Sequence, residues 1–285
     1  MTRLFQLLAR LPLSWMQRMG WCMGWLVWGL SPTYRRHFKR NVEAANVAWP
    51  DARAAIGATG TMLAELPWLW MRPPHHTLQN LIRWDGADHL EAALAQGRGV
   101  IVMSPHIGCW EVGAQAIAER FGPRFGPLVA LFRPARKAWL EPLVAQARAR
   151  PYLETVPTTL SGVRTLIRTL RAGGYTAILP DQVPPQGQGV WAPFFDRPVY
   201  TMTLVAKLAQ QSGALVLLSW CERLSPGEGY HIHMQPWEVP AFQDTETSPE
   251  DAARAINQAV EHLVRHAPGQ YLWGYARDKQ PREGV

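Results

Sequence analysis

Hydrophobic residues along the first thirty positions follow two helical patterns separated by a proline. The first pattern places apolar residues at helical spacing: Leu4, Leu8, Leu11 and Trp15. Pro12 disfavours one continuous helix, so we predict two apolar helices on either side of it. Residues 19–34 carry no charge, but they fall short of the ~20 residues that span a bilayer. An interfacial helix, a tilted span and packing against the rest of the protein all remain open.

After residue 32 the pattern alternates between helical segments and short apolar runs. The predicted helices are 33–47, 52–71, 87–96, 110–120, 136–149, 161–172, 202–211 and 249–266. The predicted strands are 99–103, 127–131, 176–179, 214–220 and 230–234. This alternation predicts an α/β fold, with a largely parallel or mixed central sheet flanked by helices. We therefore expect a helical membrane-associated segment at 1–32 and one α/β domain at 33–285.

Positive charge is concentrated in the N-terminal segment. Residues 1–50 hold seven Lys or Arg and only one acid, Glu43, so they account for +6 of the net charge of +7. A basic arm fits an anionic lipid surface or nucleic acid, and the interleaved Trp and Leu residues favour lipid. No nucleic-acid motif supports the second reading. Basic residues are denser after the apolar stretch, which favours a cytoplasmic location for the following domain.

Cysteine and histidine spacing gives no sign of a disulfide framework or a metal site. The three cysteines are far apart, at Cys22, Cys109 and Cys221, as expected of a reducing compartment. His231 and His233 would share one strand face, but the sequence shows no third ligand near them. We therefore predict no metal, and an edge strand at this position.

The candidate chemistry follows the strand 99–103. Pro105 disfavours helix at Ser104, so the strand ends there and His106 lies in the following turn. On one continuous helix His106 and Glu111 would lie ~140° apart. With His106 in the loop and Glu111 in the first helical turn, the carboxylate can instead orient the imidazole, which then accepts a proton from a hydroxyl.

Motifs around this pair resemble the bacterial lipid A biosynthesis acyltransferases, the late lauroyl and myristoyl transferases. They are relatives of the glycerol-phosphate acyltransferases, which share a His-x-x-x-x-acid motif. The resemblance is carried by 84–90, 95–101 and 106–111, by Arg36, 40–41 and 49–50 upstream, and by 180–182, 189–190, 194–195, Thr201, 270–273, Arg277 and Lys279 downstream. Cys109, Asp196 and the segment 274–276 depart from the family pattern, which puts the acceptor lipid in doubt but not the type of reaction.

The resemblance implies an O-acyltransferase at the cytoplasmic face of the cell inner membrane, with no cofactor. The donor would be an acyl carrier protein or acyl-CoA, and the acceptor a hydroxyl of a lipid A precursor or related glycolipid. His106 would be the base and Glu111 its partner. Arg164 is a candidate for stabilising an oxyanion or for binding acceptor phosphate, because a guanidinium suits both. Asp181, at the end of a strand, is a candidate substrate-binding or oxyanion-site residue. Arg133 and its neighbour Arg136 are candidates for contacting the carrier's phosphopantetheine or a lipid phosphate.

Three alternatives remain open at this stage. Cys109 could be a nucleophile that forms a thioester with His106 as its base. The chain could be a lipid-binding protein on the same fold without catalytic activity. The acceptor could also be another lysolipid, an aminolipid or a mannolipid.

Overall fold

The computed structural model describes residues 2–73, 75–132, 144, 147 and 149–283. Its centre is a seven-stranded sheet in the order β1-β9-β8-β2-β5-β3-β4, accompanied by a separate hairpin of β6 and β7. The strands are β1 Ile82–Asp85, β2 Val100–Met103, β3 Leu128–Phe132, β4 Leu153–Pro157, β5 Tyr175–Ile178, β6 Gly189–Phe194, β7 Arg197–Met202, β8 Leu215–Arg223 and β9 Tyr230–Pro236. Within the large sheet, only the β8–β9 pair is antiparallel.

Helices cover both faces of this sheet and form an N-terminal layer. The described α-helices are α1 Thr2–Leu8, α2 Leu13–Leu30, α3 Pro32–Ala44, α4 Trp49–Ala52, α5 Ala54–Met71, α6 Ala87–Ala95, α7 Trp110–Phe125, α8 Leu160–Arg171, α9 Leu204–Ser212 and α10 Pro249–His266. The start of α10 follows its sequence signals, since the Ser248 hydroxyl accepts a hydrogen bond from the Asp251 backbone N–H and Pro249 opens the helix. The α/β class predicted from the sequence is confirmed.

Strand β2 shows how the core is divided between the two faces of the sheet. Ile101 and Met103 join the cluster packed under α8, α9 and α10. Val100 and Val102 join the cluster packed under α6 and α7. All four side chains are buried because β2 is a central parallel strand with helices on both faces. An unbroken apolar run is what such a strand requires.

The sequence prediction is incomplete or wrong for several short strands and for the outer part of the sheet. The prediction did not include β1, β4 or the β6–β7 hairpin, which are four to six residues long. The expectation that His231 and His233 lie on an edge strand is wrong, because β9 pairs with both β1 and β8. The helix predicted at 136–149 falls largely outside the described residues.

Glycines allow α2 and α5 to pack with their backbones in close approach. A Cβ atom on Gly60 would lie 2.1 Å from the Gly20 carbonyl oxygen, and one on Gly24 would lie 2.2 Å from the Ile56 carbonyl oxygen. Neither contact is possible for a real side chain, so the helices can cross this closely only with glycine at these positions. The N-terminal helix α2 therefore packs directly against α5 of the α/β domain.

The opposite side of α2 presents large apolar side chains to the outside. Trp15, Leu26 and Leu30 are 64%, 61% and 74% exposed, and neighbouring Trp and Met residues are more than one-third exposed. A cluster of this kind is unusual on a monomeric surface and marks an interaction site. Among the residues that the structure describes, no helix combines the length and apolar character needed to cross a bilayer.

Substituting Gly60→Ala should separate α2 from α5. The added methyl group would collide with the Gly20 and Gly24 backbones, which no rotation of a side chain can relieve. We expect a loss of about 1–3 kcal/mol in the free energy of unfolding, typical of overpacking at a tight contact. Urea unfolding in a mild detergent, followed by tryptophan fluorescence, measures this change.

Gly29→Ala is the matched control, because it lies in the same helix α2 and a Cβ there meets nothing within 4 Å. It should leave stability unchanged or raise it by up to about 1 kcal/mol, through better helix propensity. Equal stability of the two variants would contradict the proposed role of the glycine contact.

Candidate active site

The segment after β2 continues the sheet for one residue and then turns. The Ser104 backbone N–H donates to the Ile178 carbonyl of β5 at 3.0 Å, which extends the ladder beyond Met103. The Ile107 N–H then donates to the Pro105 carbonyl at 2.8 Å, closing a three-residue turn around His106. His106 therefore lies in a loop at the carboxyl end of a parallel strand, as predicted.

Two distant segments hold this loop in place. The His106 carbonyl accepts from the Leu272 N–H at 3.1 Å, and the Gly108 N–H donates to the Gln270 carbonyl at 3.0 Å. The Cys109 N–H donates to the Cys221 carbonyl of β8 at 2.9 Å. Gly108 has φ +61°, and a Cβ there would lie 1.9 Å from that same carbonyl oxygen, so this position requires glycine.

Asp181 makes two hydrogen bonds to His106. Its Oδ1 lies 2.7 Å from His106 Nδ1, and its Oδ2 accepts from the His106 backbone N–H at 3.0 Å. Asp181 follows β5, the neighbour of β2, so the two residues leave the sheet side by side. An ionised carboxylate is only an acceptor, and it therefore places the ring proton on Nδ1 and leaves a lone pair on Nε2.

Asp181 is held as a buried anion. Burial alone would raise the pKa of Asp181, but the charge and hydrogen bonds of His106 and the charge of Arg277 outweigh it and lower the pKa below its ordinary value of 3.8. Arg277 is itself buried and donates to the Tyr200 carbonyl at 2.7 Å and the Thr201 hydroxyl at 2.9 Å. The site thus contains a carboxylate that stays charged in a low-dielectric environment.

Two more side chains touch the imidazole. Gln182 Nε2 lies 2.9 Å from His106 Nε2, where the amide donates to the lone pair. The Trp110 ring meets the imidazole edge to face, with centroids 4.5 Å apart. The His106 side chain is only 12% exposed. Its orientation is thus fixed by contacts on Nδ1, on Nε2 and on the ring.

The other predicted residues are placed differently. Glu111 occupies the first turn of α7, where the prediction put it. It is half-buried and interacts with neighbouring groups. Its assignment as the partner of His106 stays a prediction, since the contact on Nδ1 comes from Asp181. Arg164 lies exposed on α8. Arg133 and Arg136 lie outside the described residues.

Cys109 does not have the environment of a nucleophile. It is fully buried, and burial raises the pKa of its thiol well above the ordinary value of 9.0, with the Glu65 charge raising it further. Glu65 is also buried, and it accepts hydrogen bonds from Arg223 and from the Tyr230 hydroxyl, the latter at 2.9 Å. The thiol therefore belongs to a buried polar cluster behind the loop.

A known protein family matches nearly the whole chain. The sequence profile of bacterial lipid A biosynthesis acyltransferases matches residues 2–279. The chain belongs to that family. The family predicted from the sequence is therefore confirmed, and with it the class of enzyme, an acyltransferase. His106, Glu111 and Asp181 all lie within the matched range.

Individual lipid A acyltransferases are similar at low identity. The chain is 28% identical over 228 residues to the lipid A biosynthesis lauroyltransferase of Escherichia coli K12, covering 79% of this chain and 70% of that one. It is 26% identical over 196 residues to a lipid A biosynthesis acyltransferase of Haemophilus influenzae, covering 69% and 58%. A phosphatidylinositol mannoside acyltransferase of Mycobacterium tuberculosis is 28% identical over 153 residues, covering 52% and 46%.

The sequence prediction gave two residues of this candidate site no role. Gln182 and Arg277 were used only as part of the family resemblance, yet the first contacts Nε2 of His106 and the second supports the charge of Asp181. The available signals were that Gln182 follows a strand and that Arg277 lies in a closing segment rich in polar residues. Their partners are distant in sequence, and no spacing rule reveals such contacts.

The buried Asp181 carboxylate should make stability depend on pH. Because its pKa is lowered on folding, it stabilises the folded protein above the unfolded pKa, and this contribution disappears as the pH falls through the folded pKa. Asp181→Asn should therefore lower the free energy of unfolding by about 1–3 kcal/mol near neutral pH, and the difference should shrink in acid. Urea unfolding of both proteins across acidic and neutral pH measures this.

Asp251→Asn is a suitable control, because Asp251 is exposed and lies in the first turn of α10. Its stability difference from wild type should be smaller than that of Asp181→Asn near neutral pH. A constant difference at every pH for Asp181→Asn would mean that the carboxylate contributes no charge-dependent stability.

Proposed function

We propose that the chain transfers a fatty acyl group from a thioester donor, acyl carrier protein or acyl-CoA, to a hydroxyl group of a lipid A precursor or related glycolipid. The observation that carries the proposal is the His106–Asp181 pair, which holds Nδ1 at 2.7 Å and leaves Nε2 as the basic atom. A base prepared in this way suits an acceptor that is a hydroxyl. Family membership supplies the acyl and lipid chemistry.

In the proposed reaction the acceptor hydroxyl takes the place of the Gln182 amide at Nε2 of His106. Nε2 removes the hydroxyl proton while the oxygen attacks the thioester carbon. The C–S bond then breaks, an ester C–O bond has formed, and the proton on Nε2 passes to the departing thiolate. Asp181 stabilises the transient imidazolium, since its carboxylate already contacts Nδ1. The activated thioester drives the step, so the mechanism as written uses no cofactor.

Glu111 is proposed as a second acid at this centre. Its place in the first turn of α7 puts a carboxylate at a helix N-terminus, where it interacts favourably with the helix dipole, one turn from the His106 loop. Arg164 and Arg133 remain proposals for oxyanion or phosphate contacts, because a guanidinium suits both. The fully buried Cys109 thiol, with its raised pKa, does not favour a thioester intermediate on the enzyme.

The proposed location is the cytoplasmic face of the cell inner membrane, with α2 in the interface. The exposed Trp and Leu side chains of α2 suit the boundary between headgroups and acyl chains. Helix α3 follows directly and exposes Arg36, Lys39 and Arg40, which suit anionic headgroups. The Arg35 side chain donates to the Trp28 and Gly29 carbonyls at 2.6 Å, so the basic helix is tied to the end of the apolar one.

The acceptor is proposed to be a lipid A precursor because the relatives from Escherichia coli and Haemophilus influenzae are named for lipid A. The mycobacterial relative is named for a mannoside of phosphatidylinositol, so a different glycolipid, lysolipid or aminolipid acceptor is the alternative. Lipid mass spectrometry of cells with and without the protein distinguishes these acceptors. In cells that lack the protein, the true acceptor lipid should be lighter by one acyl chain.

Activity should depend on the proposed groups. With purified protein, labelled acyl donor and a lipid acceptor, His106→Ala should lose transfer by about 10²–10⁴-fold, the usual contribution of a general base. Asp181→Asn should lose at least about 10²-fold, because an unoriented imidazole is a poor base. Glu111→Gln should lose a similar factor, since its carboxylate is the proposed second acid at this centre. Unchanged circular dichroism would show that these losses are not due to unfolding.

Glu250→Gln is the matched control for Glu111→Gln, since Glu250 is also a first-turn glutamate but lies exposed on α10. It should keep wild-type transfer. If wild type and His106→Ala showed the same background transfer, the lipid-binding alternative without catalysis would replace the proposed function.

Membrane binding should follow the exposed side of α2. Wild-type protein should float with vesicles that contain anionic phosphatidylglycerol, and less well with neutral vesicles or at high salt. The double variant Leu26→Ser, Leu30→Ser should float several-fold less, because both leucines are more than half exposed.

The conservative pair Leu26→Met, Leu30→Met should keep wild-type flotation, since it preserves apolar area. Equal flotation of the serine and methionine variants would show that this side of α2 does not bind the membrane.

A further inference from the structure

A polar cluster lies on one face of the three outer strands, away from His106. Because β9 runs between β1 and β8, the register places Glu222 opposite His231 and Asp85 beside His233. The neighbouring pair Cys221 and Ile232 faces the core under α6 and α7. The alternation of side chains along a strand therefore directs Glu222, His231 and His233 to the other face, towards α10.

The distances in this cluster fit a set of metal ligands. One ligand atom from each of Glu222, His231 and His233 lies within 4.8 Å of the others. Glu222 Oε2 lies 3.0 Å from His233 Nε2, and the two imidazole centroids are 4.0 Å apart. The His233 and Glu222 side chains are 16% and 40% exposed, so an ion can reach them from solvent.

We propose that Glu222, His231 and His233 bind a divalent transition-metal ion, with zinc as the preferred metal. Two imidazoles and one carboxylate are a ligand set that zinc accepts, leaving a fourth position to water. Zinc bonds of about 2.0–2.1 Å place tetrahedral ligands about 3.4 Å apart. The widest separation, at most 4.8 Å, therefore needs to close by up to about 1.4 Å, and the 3.0 Å contact between Glu222 and His233 needs to open slightly. Rotations about side-chain bonds supply both changes.

Two further contacts orient His233 as a ligand. Asp85 Oδ2 lies 3.5 Å from His233 Nδ1, the ring nitrogen that does not face Glu222. A carboxylate behind a metal-bound imidazole is a common supporting group, because it fixes the tautomer and the ring orientation. The Trp220 ring stacks on His233, with centroids 4.3 Å apart and an angle of 11° between the planes. His233 is thus held at Nδ1 by Asp85 and on one ring face by Trp220, while Nε2 faces the proposed ion.

The proposal is independent of the acyltransfer reaction. The metal would connect β8 and β9 at the end of the sheet that also carries Cys221, whose carbonyl holds the Cys109 N–H. Binding of an ion to the folded state stabilises it. We therefore expect zinc to raise the melting temperature, and this readout does not require turnover.

The test uses full-length protein without a histidine tag, treated with a chelator and then titrated with zinc chloride. Isothermal titration should show one site. The double variant His231→Ala, Glu222→Gln should weaken zinc affinity at least about tenfold and abolish the zinc-dependent rise in melting temperature. Asp85→Asn should weaken affinity less than the loss of the two ligands does.

The matched control is His262→Ala, His266→Ala, which removes another histidine pair that lies nearby on α10, with ring centroids 4.4 Å apart. This control should keep both the affinity and the thermal shift within about threefold of wild type, since neither residue is in the proposed ligand set. Any other pattern overturns the proposal: no zinc binding by wild type, retained binding by the first variant, or a loss in the α10 variant comparable to that in the first.

Discussion

The candidate site depends on the double hydrogen bond between Asp181 and His106. The buried carboxylate fixes the backbone of the loop through one oxygen and the imidazole through the other, so main chain and ring are oriented together. The register of two strands makes this possible. Met103 of β2 pairs with Ile178 of β5, and each functional residue lies three positions after its member of that pair. A slip of one residue would turn the side chains to the wrong faces of the sheet.

This pair would have little effect if the loop could move away from it. The C-terminal segment prevents that, because Gln270 and Leu272 bond to both sides of the loop through their backbones. Asn41 in turn binds that segment, donating to the Trp273 and Tyr275 carbonyls at 2.8 Å. A residue near the start of the chain and residues near its end therefore hold one turn in the middle. The polar groups of the turn are satisfied by protein atoms, as buried backbone requires.

Local patterns in the sequence predicted the parts of the structure that depend on local interactions. The strand before His106, the position of Glu111 in the first turn of α7 and the helix at 249–266 all follow from neighbouring residues. Contacts between distant segments did not follow. The spacing favoured Glu111 for the imidazole because it is near in sequence, whereas Asp181 reaches Nδ1 only through the pairing of β2 with β5. The grouping of Glu222 with His231 depends in the same way on the β8–β9 register.

A chain of buried contacts connects the N-terminal helices with this loop. Helix α5 packs on α2 through glycines and carries Glu65, which binds Arg223 at the end of β8. The Arg223 backbone N–H and carbonyl bond to the Gln270 side chain at 2.9 Å, and the Gln270 carbonyl holds Gly108. Removing one partner of a buried ion pair typically costs about 3–5 kcal/mol, so the Glu65–Arg223 contact is hard to break. The apolar side of α2 and the His106 loop are therefore parts of one packed unit. In such a unit, the proposed insertion of α2 into a lipid surface would set the height of the imidazole above that surface.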